Sequence, residues 1–162
     1  MRNSMSQSKK TALPWMVVSA LIIVFDQWSK YFVITHLTDT SIVHVLPFLN
    51  FILSFNQGAA FGFLHAESGW QIYFLSAISV LASLLLLVWL CRTPRFQWFH
   101  AMCISFVLGG AVGNLIDRIR LHMVIDFIDF HVKNWHYATF NVADSFVCMG
   151  AIGLIVSCGW RN

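Results

Sequence analysis

The sequence has little charge. Only 10% of its 162 residues are Asp, Glu, Lys or Arg, and 58% are hydrophobic. A soluble domain carries about 25% charged residues, so this chain cannot face water on every side. A net charge of +3 gives no reason to expect a nucleic-acid partner. Cysteine is scarce as well. Cys91, Cys103, Cys148 and Cys158 form no CxxC pair and lie in or beside apolar runs. They read as small buried packing residues rather than a disulfide or metal set. H-E-x-x-H and G-x-S-x-G are both absent, which removes the common signatures of zinc and serine hydrolases. No repeat, low-complexity segment or domain boundary is visible. The length suits one domain and not comfortably two, so residues 1–162 are expected to form a single integral membrane domain.

What the chain does have is long apolar runs. A membrane-spanning helix needs about 20 mostly apolar residues, and four stretches qualify: 14–36, 68–91, 97–118 and 140–160. Trp15, Trp70, Trp89, Trp98 and Trp160 fall near their ends, at the depth indole rings favour. No A-x-A-like cleavage site follows the first run, which therefore reads as a retained helix and not a signal peptide. Arg2, Lys9, Lys10, Arg92, Arg95 and Arg161 fall on one side of a four-span arrangement, with no acid beside them. The loop 37–67 has no Lys or Arg, whereas 119–139 has Arg120 and Lys133, close to Arg118. The bias puts both termini in the cytoplasm. All seven acids then lie within spans or on the outer side.

The outer loops are more than linkers. Residues 41–55 and 124–140 are rich in β-branched and aromatic residues, with Lys133-Asn134 as a turn, and predict a small outer sheet. The segment that starts at Asn56-Gln57-Gly58 carries small residues that permit close backbone approach. Phe61, Phe63 and Leu64 behind them suit an interfacial amphipathic segment.

Ionisable residues inside spans are costly unless paired, and so invite a functional reading. Asp26 and Lys30 stand at i, i+4 in the favourable order and read as a structural ion pair. In Gly109-Gly110-Ala111-Val112-Gly113-Asn114-Leu115-Ile116-Asp117-Arg118 the small residues admit another helix closely. Asn114, Asp117 and Arg118 share one face at its outer end. They read as a polar helix cap, as a shell that positions other groups, or as both at once. Asp129, Asp39 and Glu67 read as surface acids.

The sharpest case is Asp126, just outside the third run, with Asp144, about one turn into the fourth. The short connection between them can fold back and bring the two together. Adjacent carboxylates cannot both ionise cheaply, so the pair holds one proton. That state suits peptide hydrolysis: one acid activates water while the other protonates the carbonyl oxygen. Taken singly, Asp126 could equally be a solvated loop acid, and Asp144 a helix-start acid facing the positive end of the dipole.

Five motifs in order carry a resemblance: Asp26-x-x-x-Lys30; Asn56-x-Gly58-Ala59-Ala60-Phe61-Gly62; Gly109-Gly110-Ala111-x-Gly113-Asn114-x-x-Asp117-Arg118; Val124-x-Asp126-Phe127; and Phe140-Asn141-x-Ala143-Asp144-Ser145. Together they resemble the bacterial lipoprotein signal peptidases, or signal peptidase II. The resemblance implies a mainly α membrane protein of four transmembrane helices, a small periplasmic β-sheet and an interfacial amphipathic segment. It implies an aspartyl endopeptidase of the inner membrane that cuts prolipoproteins just before a diacylglyceryl-modified cysteine. It also implies sensitivity to globomycin. On this likeness Asp126 and Asp144 are the catalytic pair. Asn56, Gly58, Asn114, Arg118, Asn141 and Ala143 support the dyad or hold substrate or inhibitor. Asp26, Lys30 and Asp117 are stabilising. No cofactor is expected, and the partners are prolipoprotein substrates and membrane lipids around a monomer.

Three other readings compete. A small proton- or ion-coupled transporter would also use intramembrane Asp, Lys and Arg, but these cluster in the outer half. A metal protease could use His122, His131, His136 and Asp126, though they lack ligand spacing. A non-enzymatic assembly factor is compatible with an outer polar cluster alone.

Overall fold

The computed structural model describes residues 11–38, 40–58 and 69–159. The elements are α1 (Met16–His36), β1 (Ile42–Leu46), β2 (Leu49–Asn56), α2 (Trp70–Arg92), α3 (Trp98–Leu121), β3 (Val124–Val132), β4 (Trp135–His136) and α4 (Val142–Gly159). A 3-10 turn, Leu13–Trp15, leads into α1 and carries Pro14 where its missing N–H costs nothing.

Among the described residues, three segments are long and apolar enough to cross a membrane: Leu13–His36, Trp70–Arg92 and Trp98–Leu121. The fourth expected span, 140–160, appears as a shorter apolar helix over the described residues. α3 is the hub and packs against α1, α2 and α4. Its buried set includes Gly109, Gly110, Gly113, Asn114 and Asp117. Two of these glycines allow close approach. A Cβ on Gly110 would run into the Ala143 carbonyl oxygen of α4, and one on Gly113 would lie 2.7 Å from Asp26 Oδ2 of α1. α1 buries Ser19, Ile22, Asp26, Lys30 and Val33, a stripe at helical spacing. Its other faces expose Leu21, Val24, Phe25, Trp28 and Phe32. α2 is apolar all round and buries only Gln71, Ile72 and Leu90.

The strands form one antiparallel sheet in the order β1-β2-β3-β4. β3 and β4 turn through Lys133-Asn134, as the sequence predicted, with Lys133 in the left-handed region (φ 55°). β2 pairs with β3 so that Ser54 opposes Asp126 and Asn56 opposes Val124. Side chains alternate along a strand, which puts Asp126 on one face of β3 and Asp129 on the other.

Two expectations need correction. Asp129 is not a surface acid: it is 3% exposed. Asn50 Nδ2 donates to its Oδ2 (2.9 Å), and His136 Nδ1 lies 2.8 Å from its Oδ1. The cysteines are not uniformly buried either. Cys103 is buried, Cys91 half-buried and Cys148 exposed, all as free thiols. The position of Cys148 on an open face of α4, one turn beyond Asp144, explains its exposure. Asp39, Glu67, the segment around Phe61, Phe63 and Leu64, the residues before Thr11, Trp160, Arg161 and the Cys158 side chain lie outside the described residues.

Candidate active site

A cleft of about 440 Å³ opens where α3, β3 and α4 meet. Asp126 and Asp144 both line it, with Asn56, Asn114, Arg118 and the stretch 137–140. The two acids reach it from different elements. β3 carries Asp126 in from the sheet, almost fully buried at 2% exposure. Asp144 stands in the first turn of α4 and is half-buried.

Asn141 joins them. It immediately precedes α4, and its Oδ1 accepts from the Asp144 backbone N–H (2.9 Å). In return its own N–H donates to Asp144 Oδ2 (3.2 Å). This reciprocal pair has the pattern of a capping box, with Asn and Asp in the two roles. Because Oδ1 is occupied at the cap, Nδ2 must face the other way. It donates to Asp126 Oδ1 (2.7 Å), and also lies 3.1 Å from Asn114 Oδ1. One side chain therefore starts the helix that carries Asp144 and holds Asp126 beside it.

The other neighbours complete the frame. Asn114 Nδ2 donates to Asp144 Oδ1 (2.8 Å), and Asn56 Nδ2 donates to Asp126 Oδ2 (3.0 Å). The Gly58 N–H donates to Asn56 Oδ1 (2.9 Å) and so fixes that amide. All four carboxylate oxygens of the pair thus accept at least one hydrogen bond. Arg118 lines the cleft, and its charge faces Asp144, Asp117 and Asp126. Burial pushes the Asp126 carboxyl up to about 6. The negative charge of Asp144 adds to the rise, while the amides of Asn56 and Asn141 and the charge of Lys30 oppose it.

Behind this frame lies a second polar layer. Lys30 Nζ meets Asp26 Oδ2 (2.9 Å) and Asp117 Oδ2 (2.8 Å). The Ala143 backbone N–H donates to Asp26 Oδ1 (2.9 Å), which anchors the start of α4 to α1. Ala143 is fully buried and does not line the cleft, so it contributes through its backbone. The sequence reading missed Gln27, whose Nε2 donates to Asp117 Oδ1 (2.8 Å) and lies within reach of Asp26 and the Gly113 carbonyl. A polar residue beside Asp26 inside a span was the available signal. It also missed Tyr137, Thr139 and Phe140 in the cleft wall, which carry no signal until the chain folds back.

The histidines do not gather at Asp126. His131 and His136 stack on each other, 5.1 Å between ring centroids, and His122 ends α3 in the left-handed region. Among the described residues no three or more His, Cys, Asp or Glu side chains gather so as to hold a metal ion.

A signal peptidase II (SPase II) family model matches residues 18–160. The chain belongs to this family. A lipoprotein signal peptidase of Coxiella burnetii (strain Dugway 5J108-111) is 51% identical over 151 residues, covering 93% of each chain. One from Alteromonas mediterranea is 45% identical over 148 residues, covering 91% of this chain and 81% of its own. A bacterial membrane enzyme solved in meso at 2.3 Å has a similar fold. It superposes with a TM-score of 0.80 at 31% identity, over 90% of this chain and 87% of that one. Family membership, the membrane-enzyme fold and three apolar helices of spanning length make this a multi-pass membrane peptidase.

Proposed function

We propose that this signal peptidase II family member removes signal peptides from prolipoproteins whose cysteine already carries diacylglycerol. It cuts just before that cysteine, using Asp126 and Asp144 as an aspartic dyad and water as the nucleophile. The supporting observation is the Asn141 side chain, which ties one acid to the other at a single cleft.

Asp126 is the member assigned the shared proton, because its buried carboxyl is pushed up to about 6. Asp144, more open to the cleft, takes a proton from water. The water oxygen then bonds to the scissile carbonyl carbon while Asp126 donates its proton to the carbonyl oxygen. When the tetrahedral intermediate collapses, the C–N bond breaks, the leaving cysteine amine receives the proton held by Asp144, and a hydroxyl of the intermediate returns its proton to Asp126 as the C=O bond re-forms. Asn56, Asn114 and Asn141 hold the two carboxyls in place through the step, and Arg118 supplies positive charge at the cleft wall. No cofactor is needed.

The chain is proposed to be one integral domain, with α4 as a fourth span and both termini in the cytoplasm. That arrangement puts the cleft near the periplasmic face of the inner membrane. The placement of Lys and Arg supports it, since Arg92 ends α2 and Arg95 lies in its link to α3. The substrate suits the site: its acyl chains stay in the outer leaflet, where tails and protein wall are equally apolar. Specificity then falls to shape and to polar contacts at the cleft. Globomycin-type peptides would compete there. The enzyme is expected to act as a monomer.

The test uses the protein in detergent with a diacylglyceryl-modified prolipoprotein. The parent should cleave it, Asp126→Asn and Asp144→Asn should not, and a chelator should change nothing. Cleavage by either folded variant would refute the dyad, and no cleavage by the folded parent would return the case to the ion-coupled transporter. Loss of activity with the chelator would favour a metal enzyme.

A further inference from the structure

Lys30 neither lines the cleft nor reaches either acid of the proposed dyad by hydrogen bond. It is 2% exposed. Two of its N–H groups are accounted for by Asp26 and Asp117. The third donates to Asn114 Oδ1 at 2.9 Å. An ammonium has three donors and no acceptor. Only the oxygen of the Asn114 amide can therefore face it, and the NH₂ end is left pointing at Asp144 Oδ1, 2.8 Å away.

The reversed amide would be wrong at three places at once. Its NH₂ would oppose the Lys30 ammonium and the Asn141 NH₂, and its oxygen would oppose the Asp144 carboxylate. Asn141 cannot turn to accommodate it, because its own oxygen is held by the Asp144 backbone N–H. Of the three conflicts, the one with Lys30 involves a full buried positive charge, and hydrogen bonds to ionised groups are the stronger kind.

We propose that Lys30 is a positioning residue that, by occupying Asn114 Oδ1, fixes that amide with its NH₂ on Asp144 and so holds the dyad in one hydrogen-bonded arrangement. This goes beyond a stabilising ion pair within α1 and rests on the dyad reading above. The charged groups that face Lys30 are Asp26 on its own helix, Asp117 on α3 and Asp126 on β3, with Arg118 and Asp144 beyond them around Asp126.

The test is a double-mutant cycle with a second readout that needs no substrate. Lys30→Met in the parent should lower kcat at least tenfold with KM within about twofold. In the Asn114→Ala background the same change should cost less than threefold, because the relay is already cut. Separately, the ¹³C-carboxyl titration of Asp126 in the substrate-free protein should move to higher pH in Lys30→Met. Equal losses in both backgrounds, or an unmoved titration in a folded Lys30→Met protein, would overturn the proposal. If the parent fails to cleave a lipoprotein substrate, the proposed function fails, while the titration still tests Lys30. Lys30→Met combined with Asp26→Asn removes one charge of each sign and keeps the cluster's net charge. It is the second variant if the single one does not fold, with the same loss and titration shift expected. If neither can be isolated folded, Lys30 is a folding residue only and the positioning role is withdrawn.

Discussion

Asn141 performs two tasks, and a pair of substitutions separates them. As the residue before α4 it accepts the Asp144 N–H, and as a donor it holds Asp126 at 2.7 Å. Asn141→Ser keeps an oxygen at the cap but has nothing that reaches Asp126; Asn141→Ala loses both. Ser is close to Asn as an N-cap, and Ala is worse by about 1 kcal/mol. The two variants should therefore differ in stability by about that amount, read as a lower thermal midpoint for the alanine protein. The bond to Asp126 involves an acid, and such bonds contribute about 1.5–3 kcal/mol. If about 2 kcal/mol of that is expressed in the transition state, kcat falls about 30-fold. It should fall equally in both variants, because both lose the same donor. The assay is cleavage of a lipidated prolipoprotein under single-turnover conditions, beside thermal unfolding in the same detergent. A folded serine variant with activity within threefold of the parent would refute the bridge. So would a pair that differs in kcat, since both variants lose the donor to Asp126 and only the cap distinguishes them.

Three further outcomes are expected. With the free Asp126 carboxyl at about 6, the alkaline limb of kcat/KM should have its midpoint near 6, as the required proton is lost above it. Asn56→Ala removes a donor that favours the ionised form, so that limb should move to higher pH by about one unit, within the range such bonds produce. Gly110→Ala should destabilise by about 1–2 kcal/mol: overpacking costs about 1–3 kcal/mol and outweighs the gain of about 1 kcal/mol in helix propensity. The obstacle is a backbone carbonyl that cannot move aside. At Asp129 burial raises the carboxyl, but hydrogen bonds from His136 and Asn50 outweigh it and hold the carboxyl below its ordinary range. A depressed folded value contributes stability above the unfolded value of about 4, and that contribution is lost as pH falls through the folded one. The thermal midpoint should drop in acid below about pH 4, and Asp129→Asn should flatten that drop.

Much of the architecture is local and was legible. Apolar length predicts α1, α2 and α3 to within a few residues, because a span is defined by its own composition. Segments rich in β-branched and aromatic residues, with a turn at Lys133-Asn134, predict the strands for the same reason. Asp26 and Lys30 are four residues apart on one helix, so their pairing follows from helical period alone. Asp129 was misread because its partners, Asn50 on β2 and His136 on β4, are neighbours only through the sheet.

The sequence by itself determined which stretches are helix or strand, the family, and the two acids to be brought together. Each of those depends on residues close along the chain or on motif order. The tertiary structure alone decided how those acids are held. Asn141 turns its amide to Asp126 because the start of α4 occupies its oxygen. Lys30 spends a third bond on Asn114, 84 residues away, because glycines on α3 let the neighbouring helices in close enough for it to reach. Hydrogen bonds need atoms within about 3 Å, and only the packing of distant elements supplies that.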